Sequence, residues 1–146
     1  MNRCIRVLGL FVCVVALSAC ATSGATYQEM HDSASAPALA PGTGRIYFYR
    51  PSQFGAASRP DVSLDGSVVG TAISHGFFYV DTLPGTHEVV LNSEVTDKTQ
   101  VRLAAGETSY VRIESAMGIL FGRFYSRQVV AATGESEMWS LHYTGD

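Results

Sequence analysis

Apolar and polar positions follow three regimes along this chain. Residues 7–17 (VLGLFVCVVAL) form one unbroken apolar run, and residues 21–44 (ATSGATYQEMHDSASAPALAPGTG) show no sustained period at all. From Arg45 onward, short β-branched and aromatic runs alternate with turn residues at strand-scale spacing, the pattern of an all-β sandwich or barrel. Residues 45–50 (RIYFYR) open the series and Pro51 closes that strand. Residues 62–64 (VSL) and 67–69 (SVV) flank Asp65-Gly66, a dipeptide suited to the two positive φ values of a type I′ hairpin turn. Further strands are expected at 76–80 (GFFYV), 86–92 (THEVVLN), 99–103 (TQVRL), 109–114 (SYVRIE) and 124–130 (FYSRQVV). The expected fold is an all-β, antiparallel β-sandwich of about seven to eight strands spanning residues 45–146. Segment 134–141 (GESEMWSL) reads either as a short helix or as another edge strand.

The apolar run changes meaning once its flanks are included. Arg3 and Arg6 precede it and the small residues Ser18 and Ala19 follow, so residues 1–19 read as an export signal. The run is shorter than the roughly 20 apolar residues a spanning helix needs. Leu17-Ser18-Ala19-Cys20 resembles the bacterial lipobox, in which a leucine and two small residues precede an invariant cysteine. That resemblance implies cleavage between Ala19 and Cys20, with acylation of Cys20 as the membrane anchor. In Gram-negative lipoproteins, a residue other than aspartate after the cysteine implies outer-membrane sorting, and here that residue is Ala21. Residues 20–44 are then expected to be a lipidated cysteine and flexible linker, long enough to hold the domain several tens of ångströms from the bilayer.

Composition narrows the chemistry. All 3 cysteines (Cys4, Cys13 and Cys20) lie in the first twenty residues, so the exported domain is expected to hold no disulfide, catalytic thiol or thiolate metal site. The chain has 10 Lys plus Arg against 13 Asp plus Glu, and the signal removes two of the basic residues. A nucleic-acid partner needs clustered Lys and Arg, so none is expected.

Four segments carry a family resemblance: residues 44–51 (GRIYFYRP), 62–70 (VSLDGSVVG), 83–90 (LPGTHEVV) and 105–111 (AGETSYV). In this order and spacing they resemble a family of small bacterial lipoprotein domains of unknown function, akin to PEGA-type and carboxypeptidase-regulatory-type sandwiches. The matching positions are turn and core positions, so the resemblance implies a fold and no catalytic residue.

Candidate chemistry is sparse. His31, His75, His87 and His142 lack paired ligand spacing, and no Gly-x-Ser-x-Gly elbow occurs, so no metal, cofactor or enzymatic activity is expected. Tyr47 and Tyr49 share one strand face, with Phe77, Phe78 and Tyr79 on another expected strand. Either both strand faces are covered, or the tyrosines form an aromatic platform for a cell-wall glycan or peptide. Residues 117–122 (MGILFG) are either a buried segment or an exposed contact patch of Met117, Ile119, Leu120 and Phe121 beside Arg123. The resulting expectation is a non-catalytic envelope interaction or structural module, held to the periplasmic face of the outer membrane through Cys20 and engaging an envelope protein. The alternative is a glycan- or peptide-binding module.

Overall fold

A computed structural model describes residues 24–120 and 122–145. The signal segment, Ala19, Cys20 and Phe121 lie outside the described residues.

Among the described residues, nine strands and two short helices follow in the order α1 (Tyr27–Asp32), β1 (Gly44–Arg50), β2 (Asp61–Leu64), β3 (Ser67–Thr71), β4 (Gly76–Thr82), β5 (Gly85–Asn92), β6 (Thr96–Leu103), β7 (Thr108–Ala116), β8 (Arg123–Val129), α2 (Ala131–Met138) and β9 (His142–Tyr143). They form two sheets, ordered β8-β7-β1-β4-β9 and β3-β2-β5-β6. The sandwich expected from the alternating pattern is therefore present. It is not purely antiparallel: β1 pairs with β7, and β4 with β9, in parallel. Side-chain alternation has period two for either direction of pairing, so the pattern never encoded this.

The Asp65-Gly66 turn joins β2 to β3 with φ of 51° and 84°, as the dipeptide requires. Asp65 adds a second function there, since its carboxylate accepts the Glu88 N–H at 2.8 Å and faces His87 Nδ1 at 2.6 Å, fastening the hairpin to β5.

Two cores flank β1, and this explains why all seven of its residues are buried. Ile46 and Phe48 point between the sheets, joining Val62, Val89, Leu91, Val101, Val111, Ile113 and Phe124. Tyr47 and Tyr49 point to the outer face of the five-stranded sheet, where Tyr27, Met30, Phe77, Tyr110, Met138 and Leu141 cover them. A central strand covered on both faces reads as a continuous apolar run rather than an alternating one.

The outer cover contains two corrections. Residues 20–44 are not all linker: α1 starts with a capping box in which the Thr26 side chain and Glu29 satisfy each other's backbone donors, and it buries Tyr27 and Met30. The Tyr27 N–H donates to the Leu141 carbonyl at 3.0 Å, and the Tyr143 N–H donates to the Ala25 carbonyl at 2.9 Å. Among the described residues the packed body thus already includes Ala25 to Asp32, and the expected boundary at residue 45 is too late. Segment 134–141 falls mostly in α2, with β9 directly after it. Gly134 sits inside that helix because a Cβ there would come within 2.4 Å of the Tyr110 ring. Glycine costs a helix about 1 kcal/mol relative to alanine, and the close approach of helix to sheet is what the sequence gains.

Candidate functional site

Register places several connections at one end of the sandwich. Arg50 lies opposite Gly76 and Gly76 opposite His142, while β7 runs parallel to β1 and leaves the sheet at Ala116. The β1–β2 connection (residues 51–60), the β5–β6 turn and the β7–β8 connection therefore share this end.

Arg50 organises it. Its alternation with Ile46 and Phe48 turns the side chain between the sheets, where it is fully buried over the Phe124 ring, 4.8 Å from the centroid. One terminal nitrogen donates to the carbonyls of Ser58 at 2.8 Å and Ala72 at 3.2 Å, the other to Phe54 at 2.7 Å and Gly55 at 2.8 Å. The rigid fork of guanidinium donors suits four backbone acceptors gathered from one loop and a neighbouring turn. Ser115 Oγ also donates to the Phe54 carbonyl at 2.8 Å, so the loop is pinned to β7 as well as to β1. The Phe54 ring is left half-exposed.

Glu94 organises the adjoining connection. Its carboxylate accepts the N–H groups of Ile119 at 2.8 Å and of Leu120, and stands 3.8 Å from Arg123 Nε. Holding the apex amides inward turns the side chains outward: Met117 is 79 % exposed, Ile119 85 % and Leu120 79 %. Two shallow grooves flank this apex. One, of about 190 Å³, runs between Phe54, Ser115, Met117 and Phe124; the other, of about 170 Å³, lies against Arg59, Pro60 and Asn92. No nucleophile and base converge on the described part of this tip. Its chemistry is apolar contact with a polar rim.

Of the sequence-derived candidates, the structure thus brings Met117, Ile119, Leu120 and Arg123 to one exposed tip. Tyr47 and Tyr49 are not part of any such surface, being 7 % and 1 % exposed. Tyr47 stacks on Tyr110 at 5.5 Å and meets Tyr27 edge-on at 5.6 Å, while the Tyr49 hydroxyl donates to Glu137 at 2.6 Å. Burial, then the hydrogen bond to Glu137 and its charge, push the Tyr49 hydroxyl far above its ordinary range. An aromatic platform is excluded because α1 and α2 occupy that face. Cys20 and Phe121 lie outside the described residues.

Sequence reasoning missed Arg50, Phe54 and Glu94. An arginine ending a strand of apolar residues was the one available signal. The other two sit in connections whose composition predicts only a turn.

His75 joins this end through its backbone, its N–H donating to the Arg50 carbonyl at 2.9 Å. His87 presents both ring nitrogens to acceptors, Asp65 and the Leu83 carbonyl at 2.9 Å. His142 Nδ1 faces the Gly24 carbonyl at 3.0 Å, beside the His75 ring at 6.3 Å.

The fold and tip define a small two-sheet β-sandwich with helices on one face and an apolar loop apex at one end. The family described as "Protein of unknown function (DUF2846)" matches residues 40–123, and this chain belongs to it. A protein of Haemophilus influenzae described as uncharacterized is 26 % identical over 128 residues, covering 86 % of this chain and 76 % of that protein. The N-terminal domain of AlgF from P. aeruginosa is a structural neighbour at 17 % identity and a TM-score of 0.42, over 64 % of this chain and all of that one. The family match agrees with the expected domain of unknown function. No helix among the described residues is long and apolar enough to cross a membrane.

Proposed function

We propose that this chain is an outer-membrane lipoprotein, acylated at Cys20, whose sandwich serves as a non-catalytic interaction module at the periplasmic face. The observation that carries the reading is the exposed Met117, Ile119 and Leu120 apex, fixed from inside by Glu94, on a domain whose other aromatic face is covered. Val68, Leu83 and Val130 are exposed as single residues elsewhere, whereas three large apolar side chains within four residues of one connection form a patch of the kind that marks a contact site. The lipobox-like Leu17-Ser18-Ala19-Cys20 supports anchorage, and the anchor raises the local concentration of the tip at the membrane. The glycan-platform reading loses its surface, because Tyr47 and Tyr49 are core residues.

The test is mass spectrometry of the mature N-terminus from cells, paired with fractionation of a Cys20→Ser variant. Acyl chains on Cys20 and release of the variant from membranes are the expected results. An unmodified Cys20, or a variant that still sediments with membranes like the parent, overturns the reading.

A further inference from the structure

We infer that the open side of the sandwich binds an extended peptide segment of a partner, which adds to β4 as a further strand and lays apolar side chains into the cleft between β4 and β3. That side is separate from the Met117–Leu120 apex, and its chemistry does not depend on the anchor.

The two sides of the sandwich end differently. Where β8 meets β6, side chains stitch the sheets together: the Thr99 hydroxyl donates to the Ser126 carbonyl at 2.8 Å, Asp97 accepts the Ser126 N–H at 2.8 Å, and the Gln128 amide donates to the Arg102 carbonyl at 3.2 Å. Where β3 faces β4 there is no such stitch among the described residues. The two strands leave the 72–75 connection in different sheets, and a cleft of about 330 Å³ lies between them, against Val69, Gly70, Thr71, Phe78, Tyr79 and Thr144. Val69 and Val80, one on each lip, pack on the inner core yet are only partly buried.

The β4 lip is an unfinished ladder. β9 covers just the start of β4, His142 pairing with Gly76 and Tyr143 with Phe77. The Thr144 N–H donates to the Phe77 carbonyl at 2.8 Å, so Phe77 turns its backbone groups away from β1, and alternation turns those of Tyr79 and Asp81 the same way. On β1, the Arg45 N–H opposite Asp81 points to the Glu107 carbonyl at 2.9 Å and not to β4, as that alternation requires. The N–H and C=O groups of Tyr79 and Asp81 therefore line the lip without a strand partner among the described residues. They repeat at about 6.6 Å, the two-residue repeat of an extended chain.

Sheet edges are normally blunted by Pro, Lys, a free charge or a bulge. Residues 78–82 (FYVDT) hold no Pro or Lys, and the Asp81 carboxylate is taken up by Arg45 at 2.6 and 2.8 Å. β3 does carry a guard, an extra residue between the pairs Val62–Gly70 and Ser63–Val68, so β4 is the template. These features name the occupant. A row of alternating backbone donors and acceptors is matched by another backbone, and the inward side chains of an added strand fall beside Phe78 and Val80, over the cleft, where apolar groups suit.

The experiment uses the full chain, processed in cells and held in detergent micelles, with acetylated pentapeptide amides Thr-X-Thr-X-Thr in which X is alanine, valine, leucine or phenylalanine. Amide hydrogen exchange at Tyr79 and Asp81 is expected to be fast in the free chain and to slow at least about tenfold with one or more of these peptides at about 5 mM. N-methylation then reads the backbone. With X inward, the X amides face β4 if the peptide runs parallel, as β9 does, and the threonine amides face it if the peptide runs antiparallel. One methylated set is therefore expected to bind about tenfold or more weakly, while the other binds as the parent peptide does. Amides at Tyr79 and Asp81 that are already protected before any peptide is added overturn the inference, since the chain itself or a second copy then fills the edge. Failure of every peptide to slow them overturns it too. So does equal loss, or equal retention, with the two methylated sets, which would assign the cleft to a ligand read without its backbone.

Discussion

Replacing Arg50 sets two opposed energies against each other. A fully buried guanidinium with no carboxylate partner among its hydrogen bonds carries a desolvation cost of several kcal/mol. Against it stand four carbonyl acceptors, each worth about 1.5 kcal/mol or more with a charged donor, or roughly 6 kcal/mol in all. Removing the side chain also leaves those carbonyls without a donor at about 1 kcal/mol each, less what water entering the loop restores. The acceptors win, and Arg50→Met is expected to lose about 3 kcal/mol. With a urea slope near 2 kcal/mol/M, the midpoint falls by about 1.5 M. Arg50→Lys keeps the charge but has three donors on one nitrogen in place of a fork, so it recovers less than half of the loss. Limited proteolysis gives a second reading, because the freed 51–60 connection is cut first in either variant. An Arg50→Met protein as stable as the parent, or more so, would show that desolvation governs and that the carbonyl cluster is incidental.

Two further outcomes follow from the same geometry. Burial of His87 opposes its charge, but the Asp65 carboxylate and the Leu83 carbonyl outweigh that and raise its pKa, while Asp65 is held low chiefly by His87. Stability from His87 is therefore full below about pH 6.5 and fades as pH rises through its raised folded value, whereas that from Asp65 is full above about pH 4 and fades on acidification. Urea midpoints from pH 4 to 9 should fall on the alkaline side in the parent and stay flatter in His87→Gln; equal slopes refute the pairing. Tyr27→Ala removes a buried ring that meets Tyr47 and Phe77 at 5.6 Å, and should cost about 3 kcal/mol and open residues 33–43 to protease. Unchanged cleavage there would mean that α1 is held by its backbone bonds alone.

The parts legible in the sequence were those with a local cause. Asp65-Gly66 announced its hairpin because positive φ is a property of two residues, and the strands of the inner core announced themselves through alternation. The outer core was harder. Thr26 and Glu29 have capping-box spacing, yet α1 has six residues and buries two, too few for a helical period to emerge from an Ala- and Ser-rich stretch. In α2, Gly134 argues against a helix until the Tyr110 ring beneath it is known. The candidate tip was half visible. Its apolar apex stood out by composition, whereas Glu94, which fixes it, and Arg50, which fixes the neighbouring 51–60 connection, act on backbone atoms that no side-chain pattern reports.

The pairing of residues 24–27 with residues 141–143 closes the outer layer with the two most widely separated segments of the described chain. The polypeptide must deliver residues 141–143 before the backbone of residues 24–27 can pair, although the α1 side chains already find Tyr47 and Phe77 on the sheet. Contacts this distant make the final closure slow relative to the local hairpins. Pairing of residues 24–27 is therefore the last step in closing the outer layer, after the sheet beneath it has formed.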